Sequence, residues 1–200
     1  MLTKTEIVSQ SIVLLGHRPI ITLENPDDLT LSASQAFDLL LPSVLSAGNW
    51  RFACQIQQLS LSPIIPPTQT NWENVYYLPS GYLKNIRIIP DNYVYEIYAN
   101  SLIYCNWGTQ GPWFMEFIFQ PPIEQLPPWF TEYFTWEIAT RLALSNAQKP
   151  DYYAVLEKTR LLKMGMAMAI DAQNRPQYSQ VNIPSLNKRV ITGIIGPSAG

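Results

Sequence analysis

Apolar residues in this chain recur at two different spacings, and the chain switches between them twice. Phe37, Leu40, Leu41, Val44 and Leu45 fall at i, i+3, i+4, i+7 and i+8, the stripe of an α-helix packed on one side. Phe130, Phe134, Ile138 and Leu142 repeat the helical spacing later on. Between these stretches, short runs rich in Tyr, Ile, Val and Phe alternate with turn formers, which is how strands read. A helical pattern interrupted by a β pattern and then resumed predicts an α+β fold. Residues 1–53 and 126–172 form a helical bundle, 54–125 an inserted antiparallel β-rich region, and 173–200 an extended C-terminal arm.

Local signals refine this. Thr3 followed by Glu6 reads as a capping box for a first helix, with Ile7, Ser11, Leu14 and Leu15 on one face. Gly16 and Pro19 stop it. Residues 17–30 read as a loop in which Pro26, Asp27 and Asp28 make turns; the adjacent acids could suggest a metal, but turn formation explains them better. The second helix starts near Thr30 or Ser32, is kinked by Pro42, and ends at Gly48 and Asn49. Trp50 and Phe52 follow as core anchors. Strands are expected at 55–61, 76–78, 83–89, 93–98, 101–105 and 114–119, with Ala99-Asn100 as a hairpin turn.

Pro127 and Pro128 open a third helix. Besides its first stripe it carries a second, made by Trp129, Tyr133, Trp136 and Thr140, so it must be covered on two faces. One cover is the core; the other is the β-region or a neighbouring subunit, which makes Trp129, Tyr133 and Trp136 candidates for a subunit interface. Asp151 caps a last helix to about Ala172, with Val155, Thr159, Leu162, Met166 and Ala169 as its apolar face and Met164, Met166 and Met168 as adaptable core packing. In the arm, Tyr178, Val181, Ile183, Leu186, Val190, Ile191, Ile194 and Ile195 are too apolar for a solvated tail, while prolines and glycines prevent a long helix. The arm reads as a segment that docks on another chain, the alternative being a tail that folds back on its own subunit.

Chemistry is sparse. One histidine, His17, cannot build a His-based metal site, and no acid, serine or cysteine stands beside it in a recognisable motif. Cys54 and Cys105 have neither disulfide-framework nor zinc spacing. No Walker loop and no G-x-G-x-x-G is present. Glu116 is a lone carboxylate among aromatics, a setting that raises a carboxyl pKa, but glycoside cleavage normally needs two acids. No catalytic residue, metal or cofactor is therefore expected. Charged residues make up only 14% of the chain, against about 25% in a typical domain, which favours burial against partners. With a net charge of −2, and Lys158, Arg160 and Lys163 read as a solvated helix face, tight binding to nucleic acid is not expected. Residues 7–15 are interrupted by Ser9, Gln10 and Ser11, so no signal peptide or membrane anchor is expected and synthesis in a reducing cytoplasm is.

Five segments, taken in order, resemble a known family. They are L-L-G-H-R-P-I at 14–20, W-R-F-A at 50–53, W-E-N-V-Y-Y-L-P-S-G-Y-L at 72–83, Y-E-I-Y-A-N-S-L-I at 95–103, and a proline-rich run into an aromatic-started helix ending R-L-A at 141–143. Their order and spacing over roughly residues 5–172 resemble the tail tubular protein A, or head-to-tail connector (adaptor), family of short-tailed bacteriophages. His17 and Arg18 depart from the family pattern, as does Gly81, where an acid is usual. The resemblance implies a structural virion protein at the head–tail junction, assembled in the host cytoplasm. It implies a homo-oligomeric, commonly dodecameric, ring between the portal and the tail nozzle protein, near the tail fibre, with DNA ejected through its lumen. It also implies that the C-terminal segment reaches the portal. Two other readings remain from the residues alone. Tyr76, Tyr77, Tyr93, Tyr95, Tyr98, Trp107 and Trp113 could form the face of a host-surface carbohydrate-binding tail protein, or stack single-stranded nucleic acid, although the latter normally requires a basic groove.

Overall fold

The computed structural model describes residues 2–24, 26–68, 70–90, 93–99, 101–108, 111–145 and 150–174. Of the expected arm, 173–200, all beyond residue 174 lies outside them, including every named docking residue from Tyr178 through Ile195. The fold is α+β, with four α-helices and two antiparallel sheets among the described residues.

Helix α1 (Lys4–Leu14) starts at the expected capping box: the Thr3 hydroxyl accepts from the Glu6 N–H at 3.3 Å, and Glu6 Oε2 accepts from the Thr3 N–H at 2.6 Å. It ends in a Schellman turn, His17 N–H to Ile12 O and Gly16 N–H to Val13 O, with Gly16 at φ +83°. Helix α2 (Asp28–Ala47) begins earlier than the sequence suggested. Asp27 is its N-cap, with Oδ1 accepting from the Thr30 N–H at 2.8 Å, so this acid satisfies a helix end rather than a simple turn. The helix runs on through Pro42. Gly48 is required by close approach: a Cβ there would lie 2.4 Å from the Trp50 indole nitrogen.

The strands are β1 (Cys54–Gln58), β2 (Ser60–Leu61), β3 (Asn74–Tyr77), β4 (Tyr82–Ile89), β5 (Tyr95–Tyr98), β6 (Leu102–Cys105) and β7 (Phe114–Phe119). One sheet has the order β1-β7-β4 and the other β2-β3-β6-β5. The β5–β6 hairpin pairs Tyr98 with Leu102, and Ala99 takes φ +51° in its turn. Strand β7 is central and buried on both faces. Met115 and Phe117 join Ile88, Tyr76, Ile103, Trp107 and Trp113 in a core between the sheets. Ile118 points the other way, into the core of the helical bundle. Period-two alternation therefore serves two cores at once, which is why β7 lacks a polar face.

Helix α3 (Pro128–Ser145) is the bundle's centre, packed against α1, α2 and α4 (Pro150–Gln173). Its stripe Phe130, Phe134, Ile138 and Leu142 is buried as expected. Trp50 is buried among Phe52, Trp129, Phe130 and Tyr133, and its indole N–H donates to the Val44 carbonyl at 2.9 Å. Gln173, expected to start the arm, is the last residue of α4.

Candidate interaction surface

Helix α4 turns its expected apolar face outward. Val155 and Leu162 are 61% and 62% exposed, Met166 is half exposed, and no described element covers this stripe. The face against the protein is made instead by Leu156, Ala167 and Met164. Arg160 donates to both oxygens of Glu157 (2.8 and 2.6 Å) and to Glu137 of α3 (2.9 Å), while Lys163 reaches Glu132 at 2.6 Å. The basic group read as a solvated face thus splits: Arg160 and Lys163 bind α4 to α3, and Lys158 is exposed. Of the three methionines expected in the core, Met164 packs there, whereas Met166 and Met168 keep substantial exposure.

The three residues expected at a subunit interface occupy different settings. Tyr133 is interior to its own chain, its ring against Trp50 and its hydroxyl donating to Glu137 at 3.1 Å. Burial, and then the Glu137 charge, push its phenol pKa far up. Trp129 is half-buried against Trp50 and Phe52. Trp136 alone of the three opens onto a groove of about 400 Å³ between α1 and α3, where Val13 and Leu14 form the wall and Thr131 and Thr135 the floor. The polar floor is internally satisfied, since Thr131 donates to Pro128 O and Thr135 to Thr131 O. The groove therefore presents an apolar lining.

Glu116 corrects another expectation. It projects from β7 toward the bundle rather than toward the aromatics of the inter-sheet core. Arg51 Nη1 donates to one oxygen at 3.0 Å and Arg87 Nε to the other at 2.5 Å, with the Cys54 thiol at 3.3 Å. Burial alone would raise its pKa, but the hydrogen bonds and charge of Arg87, together with Cys54 and Arg51, outweigh burial and hold it below the usual value. Burial and the facing carboxylate push the Cys54 thiol up to about 11, away from nucleophilic reactivity at neutral pH. The Arg51 backbone N–H also donates to Asp171 of α4 at 2.8 Å. This junction joins the turn at Arg51–Ala53 to β4, β7 and α4, locking the inserted sheets to the bundle.

The aromatic residues considered as a sugar-binding face are divided. Tyr76, Trp107 and Trp113 are buried, and the two indoles donate to Val94 O and Gly108 O. Tyr77, Tyr93 and Tyr98 stay partly exposed. Among the described residues no three His, Cys, Asp or Glu side chains cluster as metal ligands, and no helix is long and apolar enough to cross a membrane. No protein-family model matches the chain, and no curated protein does.

Proposed function

We propose that this chain is a ring subunit of a head-to-tail connector, joining the portal of a short-tailed phage to its tail nozzle and forming part of the DNA ejection channel. The observation that carries the reading is the apolar stripe on α4, which no other described residue covers. Val155, Leu162 and Met166 are too exposed for core residues, yet they repeat at core spacing along a helix held in place by ion pairs. Such a face is what lateral packing between subunits requires. The low charge supports the same conclusion, and so does the resemblance in motif order, with the β-rich unit inserted between the second and third helices. The mildly acidic balance suits a channel through which DNA passes without tight binding. The alternative, a host-surface carbohydrate-binding tail protein, retains only Tyr77, Tyr93 and Tyr98 as exposed stacking groups.

In this reading the arm docks on the portal. The described members of both hydrophobic cores, with the arm read as packing on the portal rather than on its own subunit, supply the fold. A chain ending at Asn174 is therefore expected to melt as the full chain does, yet to bind the portal at least about tenfold more weakly, a loss of about 1.4 kcal/mol. Titration of each form onto immobilised portal measures this. Undiminished binding by the shortened chain contradicts the docking role of the arm.

A further inference from the structure

We infer that the pocket beside Asp171 binds an organic cation with N–H donors: the alkylammonium or alkylguanidinium group of a free amine or of a basic side chain. The site is independent of whether the chain forms a ring.

Asp171 lies in the last turn of α4 and is only 5% exposed. Its Oδ2 accepts the Arg51 backbone N–H at 2.8 Å, while its Oδ1 is out of contact with solvent and has no hydrogen-bond partner. The Arg51 guanidinium is turned to Glu116, and among the described residues no basic side chain pairs with Asp171. A buried carboxylate with a spare acceptor and no cation is costly, and the donor that relieves it most is itself charged. Beside it opens a pocket of about 210 Å³ between the turn at Asn49–Arg51, β4 and α4. Asp171 forms one wall, and Trp50, Ile86 and Met168 supply apolar surface. At the ~30 Å³ that one water takes in the liquid, the pocket has room for a chain of about five heavy atoms. An apolar wall leading to a buried carboxylate matches an alkyl stem with a cationic tip. The terminal torsion of an aspartate is broad, so Oδ1 meets such a tip by a turn of the carboxylate alone.

The test titrates n-butylammonium chloride into the full-length protein, isotope-labelled at its methionine methyl groups. Met168 lines the pocket, and its methyl resonance, assigned with Met168→Leu, reports filling. A saturable shift is expected, with a dissociation constant of about 1–10 mM for so small a ligand. Tetramethylammonium has the charge but no donor, and n-butanol has the stem and a donor but no charge. Each is expected to bind at least about tenfold more weakly. Asp171→Asn keeps an oxygen for the Arg51 N–H and removes the charge, and is expected to weaken butylammonium binding at least about tenfold. The comparison of the three probes decides the matter even if that variant does not fold.

A full-length chain carrying Arg175→Gln, Lys188→Gln and Arg189→Gln, the basic residues beyond Asn174, locates the natural cation. A shift in this variant but not in wild type means that the chain's own basic side chain fills the site, and the probes are then compared in the variant. Equal shifts mean that the cation comes from elsewhere. Both outcomes support the site. No saturable shift in either protein, as a pocket holding water alone would give, overturns it. So does binding of butanol or tetramethylammonium as tight as that of butylammonium, or unchanged binding by folded Asp171→Asn.

Discussion

Trp50→Ala is expected to lower the free energy of unfolding by about 3–5 kcal/mol, a large part of the stability of a domain of this size. The indole is buried where α2, the turn at Arg51–Ala53 and α3 meet. Truncation leaves a cavity bounded by Phe52 of the turn and by Trp129, Phe130 and Tyr133, which α3 holds in place so that the site cannot collapse inward cheaply. It also deletes the donor to the Val44 carbonyl near the end of α2. Urea unfolding followed by circular dichroism measures the loss through the shift in midpoint at constant slope. Ile65→Ala, at a side chain 84% exposed, serves as control and is expected to stay within about 0.5 kcal/mol of wild type. A Trp50→Ala loss as small as the control's would mean that Trp50 does not hold α2 to α3.

The paired substitution Arg51→Ala with Arg87→Ala is expected to cost about 2–4 kcal/mol at pH 7, and to cost less as the pH falls. Both arginines are partly solvated, and the pH-dependent part of the cost arises because Glu116 stays buried without their charges. In the wild-type protein the Glu116 pKa is held below its ordinary 4.5. Its contribution to stability is therefore complete above 4.5 and is lost as the pH falls through the lower folded value. Without the arginines, burial dominates and raises the folded pKa above 4.5, reversing the sign. The variant is then penalised fully above that raised value, and the penalty shrinks as Glu116 takes up a proton. Chemical denaturation of both proteins between pH 4 and pH 7 should show the stability gap narrowing toward acid. A gap that is constant across this range would mean that Glu116 does not hold the junction together.

Where the sequence proved legible, one side of an element faced one environment. The capping box at Thr3, the Gly16 stop, the stripes of α2 and α3 and most strands follow from such patterns, but the single strand expected at 55–61 is two, β1 and β2, which leave Leu59 between them and pair in different sheets. Helix α4 lies inside out relative to its apolar spacing, for a physical reason. Spacing places its apolar residues in the core, but the protein-facing side is held by Arg160 and Lys163 paired across the seam with Glu137 and Glu132. Acids on α3 placed to meet those two basic residues were the available signal, and apolar periodicity alone does not register charge complementarity between separate helices. Glu116 departs from its sequence setting for a related reason. Its sequence neighbours are aromatic, but alternation along β7 turns it away from them, toward Arg51 and toward Arg87 on the paired strand β4. The groove at Trp136 was not legible at all, because it forms between α1 and α3, elements more than a hundred residues apart.

The central claim is that the chain assembles as a connector ring on a portal. Electron microscopy of the purified full-length protein, alone and mixed with its portal ring, tests it most directly. The account predicts rings of this chain stacked coaxially on the portal, with neighbouring subunits meeting along α4. A protein that ignores the portal at every concentration and instead binds glycan as a monomer or trimer would contradict it.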